Sequence, residues 1–162
     1  YTLTNTYDYK IYNEWLDENV FSIGFFGKTS NSLSGKDVKL SDRLYLPASK
    51  LRGFESGKVG PKDGADYIGG NYAASINVAT SLSQILPNSQ NTNFSIFFDA
   101  GNVWGIDYSS SLNDENKIRS SVGIAVDFIT PVGPLNFSLS EPITKSKNDI
   151  TESFRFNLGT TF

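Results

Sequence analysis

The feature that most constrains the fold is an alternation of apolar and polar residues in segments of about ten. In the last segment, one face carries Phe154, Phe156, Leu158, Thr160 and Phe162, and the other carries Arg155 and Asn157. A period of two predicts β-strands, because successive side chains of a strand point to opposite faces. Seven segments show this pattern: residues 2–12, 21–29, 72–82, 94–104, 121–128, 135–140 and 154–162. The chain is therefore predicted to be all-β, with about seven to eight antiparallel strands.

The second face of these segments indicates their environment. It carries Ser, Asn, Gly and Ala, with an occasional Arg or Asp, and charged residues make up 19% of the chain. A soluble β-sandwich buries its apolar face and turns charged residues outward. Small polar residues are instead typical of the inner wall of a membrane barrel whose apolar face contacts lipid. On alternation alone, both a soluble all-β domain and a membrane barrel remain open.

The lengths of the connections favour the membrane barrel. Short and long connections alternate along the chain. The short ones are about residues 13–19, 87–91 and 131–134, and the long ones are about residues 30–67, 105–117 and 142–150. Outer-membrane barrels have short periplasmic turns on one side and long loops on the other. This phase predicts that the carboxyl terminus lies on the side of the short turns.

Composition excludes several classes of function. The chain has 162 residues, a net charge of -3, and neither Cys, His nor Met. Disulfides, imidazole bases and metal sites built on Cys or His are excluded, and a basic surface for nucleic acid is not expected. We expect no catalytic residues, no cofactor and no metal. The acidic residues of two long connections are expected to be solvated rather than to bind a cation: Asp107, Asp114, Glu115, Asp149 and Glu152.

The start of the chain carries a further expectation. The first residues are polar and show neither the charged nor the apolar region of a signal peptide. The chain also begins without Met, in the middle of a strand pattern. A mature or excised segment of a longer protein is expected.

A short motif in the longest connection, Leu51-Arg52-Gly53-Phe54, is followed by four further blocks. In order, these are FFDAGNVW at 97–104, IRSSVG at 118–123, TPVGPL at 130–135 and FRFNLGTTF at 154–162. Together they resemble the BamA family of outer-membrane β-barrel assembly proteins, whose lumen-inserted loop carries Val-Arg-Gly-Phe. Leu51 replaces the Val, and the first strands match only in their alternation.

The resemblance implies a place in the fold for each motif residue. Residues 1–162 would be the carboxyl-terminal part of a sixteen-strand barrel, with the loop at about 30–68 directed into the lumen. Arg52 would meet Asp99 on the inner wall, near Phe97, while Gly53 permits the tight backbone and Phe54 anchors by apolar contact. The alternation independently places Phe97 and Asp99 on the polar face. The last strand would carry a carboxyl-terminal signal at Asn157, Gly159 and Phe162.

The resemblance also implies a function and partners. The function would be to insert and fold β-barrel proteins in the outer membrane of a Gram-negative bacterium, through a lateral seam whose edge strands template incoming strands. The implied partners are outer-membrane lipid, nascent barrel proteins, assembly-complex lipoproteins and the POTRA domains of a full-length chain. Two alternatives remain. One is a related translocation pore of the autotransporter-assembly or two-partner secretion type, and the other is a small stand-alone structural barrel.

Overall fold

A computed structural model of the chain describes residues 1–15, 18–85, 91–107, 109–114, 116–131 and 133–158. Seven antiparallel strands form one sheet in chain order: β1 (Thr2–Trp15), β2 (Asn19–Ser32), β5 (Tyr72–Ser81), β6 (Thr92–Trp104), β7 (Arg119–Thr130), β8 (Gly133–Thr144) and β9 (Phe154–Leu158). Two short strands, β3 (Lys62–Asp63) and β4 (Asp66–Tyr67), pair separately inside the longest connection. Single 3-10 turns cover Leu40–Asp42 and Ser83–Ile85. None of the described helices is long and apolar enough to cross a membrane.

The predicted all-β, antiparallel fold with seven main strands is confirmed. β1 and β2 extend further than their alternation indicated, so the turn between them is shorter and the longest connection covers residues 33–71. The β3–β4 hairpin inside that connection was not predicted, because two-residue strands leave no period to detect. The predicted end of the last strand, residues 159–162, lies outside the described residues, as does most of the predicted turn at 87–91.

The two faces of the sheet differ as the alternation predicted. We call the face that carries Ser22, Ser75, Asp99, Ser121 and Ser138 the polar face, and these five side chains are buried. The opposite, apolar face leaves large side chains exposed along the strands, among them Ile23, Phe25, Ile76, Ile96, Phe98, Val122, Ile124, Leu139, Phe154, Phe156 and Leu158. So continuous an exposed apolar surface is the expected outer surface of a sheet that contacts lipid.

The core lies between the longest connection and the polar face. Leu44, Leu46, Leu51, Phe54 and Val59 come from the connection, and they form a buried cluster with Phe26, Ala73 and Val103 of the sheet. Leu44 and Gly70 exchange backbone hydrogen bonds, N to O 2.8 and 3.0 Å, which hold the two ends of the connection together. The connection therefore folds back over the sheet and supplies five of the eight residues of this cluster, while the polar face of the sheet supplies the other three.

Candidate functional site: the motif loop on the polar face

The motif arginine is joined to the sheet by two parallel charge-assisted hydrogen bonds. Arg52 donates from Nε to Oδ2 of Asp99 and from Nη2 to Oδ1, both at 2.7 Å, and its backbone N–H also donates to Oδ2 at 3.0 Å. The side chain of Asp99 is 0% exposed and that of Arg52 is 20% exposed. A guanidinium and a carboxylate in this arrangement fix each other's orientation and neutralise each other's charge. The structure thus brings the loop motif and its predicted wall partner together.

Two further groups on the sheet hold Arg52. The guanidinium carbon lies 3.4 Å from the centre of the Phe97 ring, and Phe97 is buried. A cation over an aromatic face is attracted by the ring quadrupole, more strongly when both are desolvated. On β7, the Ser121 hydroxyl donates a short hydrogen bond to the backbone carbonyl of Arg52. The arginine is therefore bound through its charge, its plane and its main chain.

The next motif residue must be glycine for two physical reasons. Gly53 has φ +89°, a backbone conformation that side chains disfavour. A Cβ added there would lie 3.0 Å from Cβ of Ser121 and 3.5 Å from Cβ of Ser140. The small side chains of Ser121 on β7 and Ser140 on β8 thus allow the loop backbone at Gly53 to pack directly against the sheet.

The motif ends in an apolar anchor. Phe54 is 1% exposed within the core cluster, and Leu51, which precedes the arginine, is 2% exposed. Each side chain removes most of its apolar surface from water, which is worth about 1.5–3 kcal/mol for a residue of this size. Arg52 is therefore flanked in sequence by two buried apolar anchors, Leu51 and Phe54.

Beyond the motif, the loop pairs with the connection between β8 and β9, residues 145–153. Phe54 and Thr151 form an antiparallel bridge, and the Glu152 N–H donates to the carbonyl of Gly53 at 3.0 Å. Further on, the Glu55 N–H donates to the carbonyl of Ile150 at 2.9 Å. The motif loop is thereby in hydrogen-bonded contact with the chain that leads into β9.

A second buried ion pair lies beside this contact, and sequence reasoning missed it. Arg119 donates to the two carboxylate oxygens of Asp149 at 2.9 and 3.0 Å, and to Oδ1 of Asn102 at 2.6 Å. The side chains of Arg119 and Asp149 are 0% and 1% exposed. The expectation that Asp149 is solvated was wrong, because the connection folds inward and places its carboxylate against the first residue of β7.

A third ion pair ties the amino-terminal part of the loop to the β6–β7 connection. Arg43 donates to Asp107, which also accepts from the Val38 N–H and the Asn71 amide, each at 2.9 Å. Desolvation opposes ionisation of Asp107, but these hydrogen bonds and the Arg43 charge together outweigh it and lower the pKa of Asp107 below its ordinary value of 3.8. Asp107 is nevertheless exposed, with its side chain 31% exposed, so it is in contact with solvent as expected, and only its pairing with Arg43 was not predicted. Asp114 is also exposed, and Glu115 lies outside the described residues.

The half of the polar face that the loop leaves uncovered borders an open space of about 470 Å³. Its wall includes Ser22, Asn77, Ser95, Asp127 and Asn136, and Lys50 and Arg52 border it from the loop. Lys50 pairs there with Asp8, whose side chain is half exposed. The loop does not cover this half, whereas it buries polar side chains such as Asp99 and Ser121 in the other half.

The residues predicted to form a carboxyl-terminal signal are described only in part. Asn157 lies on the polar face of β9, opposite Asn136 of β8, and it borders the open space. Gly159 and Phe162 lie outside the described residues. Arg155 shares the polar face with Asn157 and pairs with Glu152 of the preceding connection.

Comparisons with known proteins agree with this architecture. The family model described as the Omp85 superfamily domain matches residues 2–162. The chain belongs to the Omp85 superfamily. An outer membrane protein assembly factor BamA from Neisseria meningitidis serogroup B is 31% identical over 94% of the chain. The sorting assembly machinery 50 kDa subunit of Saccharomyces cerevisiae is 31% identical over 91% of the chain.

A solved relative places the Omp85 chain within a larger barrel. It matches the crystal structure of BamA from Haemophilus ducreyi lacking POTRA domains 1-3 with a TM-score of 0.85 and 26% identity, over 96% of the chain. The chain spans 34% of that structure, and 22% and 33% of the Neisseria and yeast proteins. Its seven strands are thus a segment of a transmembrane β-barrel of the outer membrane, as the resemblance implied.

Proposed function

We propose that the full-length protein inserts and folds β-barrel proteins in the outer membrane, and that residues 1–162 form the carboxyl-terminal part of its barrel. Support comes from Omp85 membership and from relatives whose names describe outer-membrane protein assembly and a sorting assembly machinery. The proposed partners are outer-membrane lipid, nascent barrel proteins, assembly-complex lipoproteins and the POTRA domains of the full-length chain. The task is one of binding and templating, for which the fold needs no cofactor.

The loop at about 30–68 is proposed to enter the barrel lumen and to brace its wall. The polar face is the one that turns inward in a membrane barrel, and the loop packs on that face. Arg52 and Asp99 would then fix the loop to the middle of the wall, with Gly53 and Phe54 seating it. Bracing of this kind keeps a large barrel in shape while its seam opens.

The observation that carries the proposed mechanism is the position of β9. Among the described residues β9 is one of the two outer strands of this barrel segment: it pairs only with β8, as β1 at the opposite side pairs only with β2, so each has one edge without a partner strand. An exposed strand edge is a ready template for another strand, by β-augmentation. In the full barrel this edge would lie at the seam, where it would pair with the strand of an incoming protein.

Cysteine cross-linking tests the templating proposal in a full-length protein in which any cysteine outside residues 1–162 has been replaced, since residues 1–162 themselves contain no Cys. Asn157→Cys places a thiol on β9, and the matched control Asn136→Cys places one directly opposite, on β8. During assembly of a client barrel with single cysteines in its terminal strands, we expect cross-links at position 157 in several-fold excess over position 136. Equal yields at the two positions would remove the edge strand from the mechanism.

A further inference from the structure

The connection between β8 and β9 is held by a buried ion pair that the proposed mechanism does not use. The Arg119 guanidinium donates hydrogen bonds to both carboxylate oxygens of Asp149, to Asn102 and, at 2.8 Å, to the carbonyl of Lys117. Two charges that are taken out of water are retained at low cost only where their hydrogen bonds are met in a fixed geometry. The pair therefore specifies one position for the segment that carries Asp149.

Asp149 also shapes its own segment. Its carboxylate accepts from the Ser146 N–H at 2.5 Å, while its own N–H donates to the carbonyl of Ser146 at 3.3 Å. These bonds close a turn over residues 146–149, and the charge of Asp149 is then bound by Arg119, the first residue of β7. The turn is thus closed by its own hydrogen bonds and anchored to β7, two strands in from β9 at the edge of the sheet.

The chain that leaves this turn is paired all the way to β9. The Ile150 N–H donates to the carbonyl of Lys58 at 3.2 Å, and the Glu152 N–H donates to that of Gly53 at 3.0 Å. The carbonyl of Ser153 then accepts from the Ser140 N–H of β8 at 2.8 Å. Phe154 follows as the first residue of β9. Four residues therefore separate Asp149 from the edge strand, and backbone bonds hold them on both sides.

We propose that Arg119 and Asp149 are positioning residues that fix where β9 begins and how firmly it pairs with β8. The Arg52–Asp99 pair fixes the loop, the Arg119–Asp149 pair fixes the connection, and the hydrogen bonds between residues 53–58 and 150–152 couple the two. Loss of the Arg119–Asp149 pair would release the connection that leads into β9, while the Arg52–Asp99 pair would still hold the loop on the sheet. The consequence for client assembly rests on the proposed function, but the effect on β9 itself does not.

Hydrogen exchange of the full-length protein in lipid bilayers tests the effect on β9. Asp149→Asn and Arg119→Gln keep the side-chain volume and remove one charge each, and the double variant removes both. We expect exchange in the segment Phe154–Leu158 to accelerate at least about tenfold in each single variant, because an orphaned buried charge favours local opening. The segment Thr92–Trp104 of β6 should change little. The double variant should exchange more slowly than either single variant, since it leaves no orphaned charge.

Asp8→Asn is the matched control, because it removes one charge from the exposed Lys50–Asp8 pair at the other end of the sheet. It should leave exchange in β9 unchanged. Native exchange rates in β9 of the single variants would overturn the proposal. Equal acceleration in β6 and β9 would also overturn it, since the pair would then stabilise the whole sheet rather than position its edge.

Cross-linking from position 157 to a client, repeated in the Asp149→Asn background, separates this inference from the proposed function. A change in cross-link yield together with faster β9 exchange supports both. Faster exchange with an unchanged yield supports the positioning role and contradicts templating by β9. The two proposals can therefore fail independently.

Discussion

The two halves of the polar face have the same alternation but different environments. Beneath the loop, Asp99 on β6 is fully buried and bound by Arg52. In the uncovered half, Asp127 on the neighbouring β7 borders the open space of about 470 Å³ and accepts a hydrogen bond from the Asn136 amide. Both are aspartates on the same face of adjacent strands. Their difference teaches that the strand pattern decides which way a side chain points, whereas the loop decides whether its charge must be paired.

The largest expected effect comes from removing one partner beneath the loop. Asp99→Ala leaves the Arg52 guanidinium without its carboxylate, and Arg52→Ala leaves a buried carboxylate. Each should lower the free energy of unfolding of the full-length protein by about 3–5 kcal/mol, the cost of orphaning a buried charge. Denaturant unfolding in lipid or detergent measures this value.

Asp127→Ala is the matched control in the uncovered half. It should cost about 1 kcal/mol or less, because water can solvate the groups that remain. Similar losses for Asp99→Ala and Asp127→Ala would show that the loop does not make the two halves different.

The comparison also requires that the polar face turns away from lipid. Phe156→Arg on the apolar face of β9 should cost about 2–4 kcal/mol in a bilayer if the site is near the midplane, because the charge then enters hydrocarbon. The neighbouring Asn157→Arg should be tolerated on the polar face.

Labelling of single cysteines gives a second check: a water-soluble maleimide should reach position 155 and not position 156. The opposite labelling pattern would reverse the assignment of the faces.

The seat of the loop can be tested through its glycine. Gly53→Ala should lower the free energy of unfolding by about 2 kcal/mol, since the new Cβ contacts Ser121 and the alanine must adopt a positive φ. Gly35→Ala is the control, because Gly35 also has a positive φ, +67°, but has nothing within 4 Å of an added Cβ. Its cost should be about 1 kcal/mol, from the backbone alone. If both variants unfold alike, the loop is not seated closely against β7.

The smallest expected effect is the pH dependence of the Asp107 attachment. Because the pKa of Asp107 is lowered in the folded protein, its ionised form stabilises the fold above the ordinary value of 3.8. This contribution is complete at neutral pH, and it is lost as the pH falls through the lowered pKa. The difference in unfolding free energy between the native protein and Asp107→Asn should therefore shrink when the pH is lowered from about 7 to about 3. A difference that does not depend on pH would mean that the charge of Asp107 contributes nothing.

The sequence predicts the strands well and the loop contacts poorly, for physical reasons. A strand can be recognised from the alternation of apolar and polar residues, which is a local pattern. Because the apolar face contacts lipid, this alternation is unusually clear along β6, β7 and β9. The short β3–β4 hairpin and the turns around Asp149 have no period. Their shape depends on where the loop lies on the sheet, which no local pattern records.

The three ion pairs between the loops and the sheet illustrate the same limit. Arg52 and Asp99 are singled out only because a resemblance joins two short motifs that lie 47 residues apart. Arg119 and Asp149 lie 30 residues apart, and Arg43 and Asp107 lie 64 apart, with each carboxylate in an irregular connection. A carboxylate in a polar loop is usually solvated, so composition gave the wrong expectation for the buried Asp149 and no sign that the exposed Asp107 pairs with Arg43. The available signal for Arg119 was its place at the start of a strand face that otherwise carries the small residues Ser121, Gly123 and Ala125.

A double-mutant cycle on Arg52 and Asp99 tests most directly whether the loop and the wall form one unit. Stability is measured for the native full-length protein, for Arg52→Ala, for Asp99→Ala and for the double variant. We expect the double variant to be little less stable than either single variant, because the second substitution removes the charge that the first one orphaned. Strictly additive losses would contradict this contact, and the loop would then be an independent surface excursion.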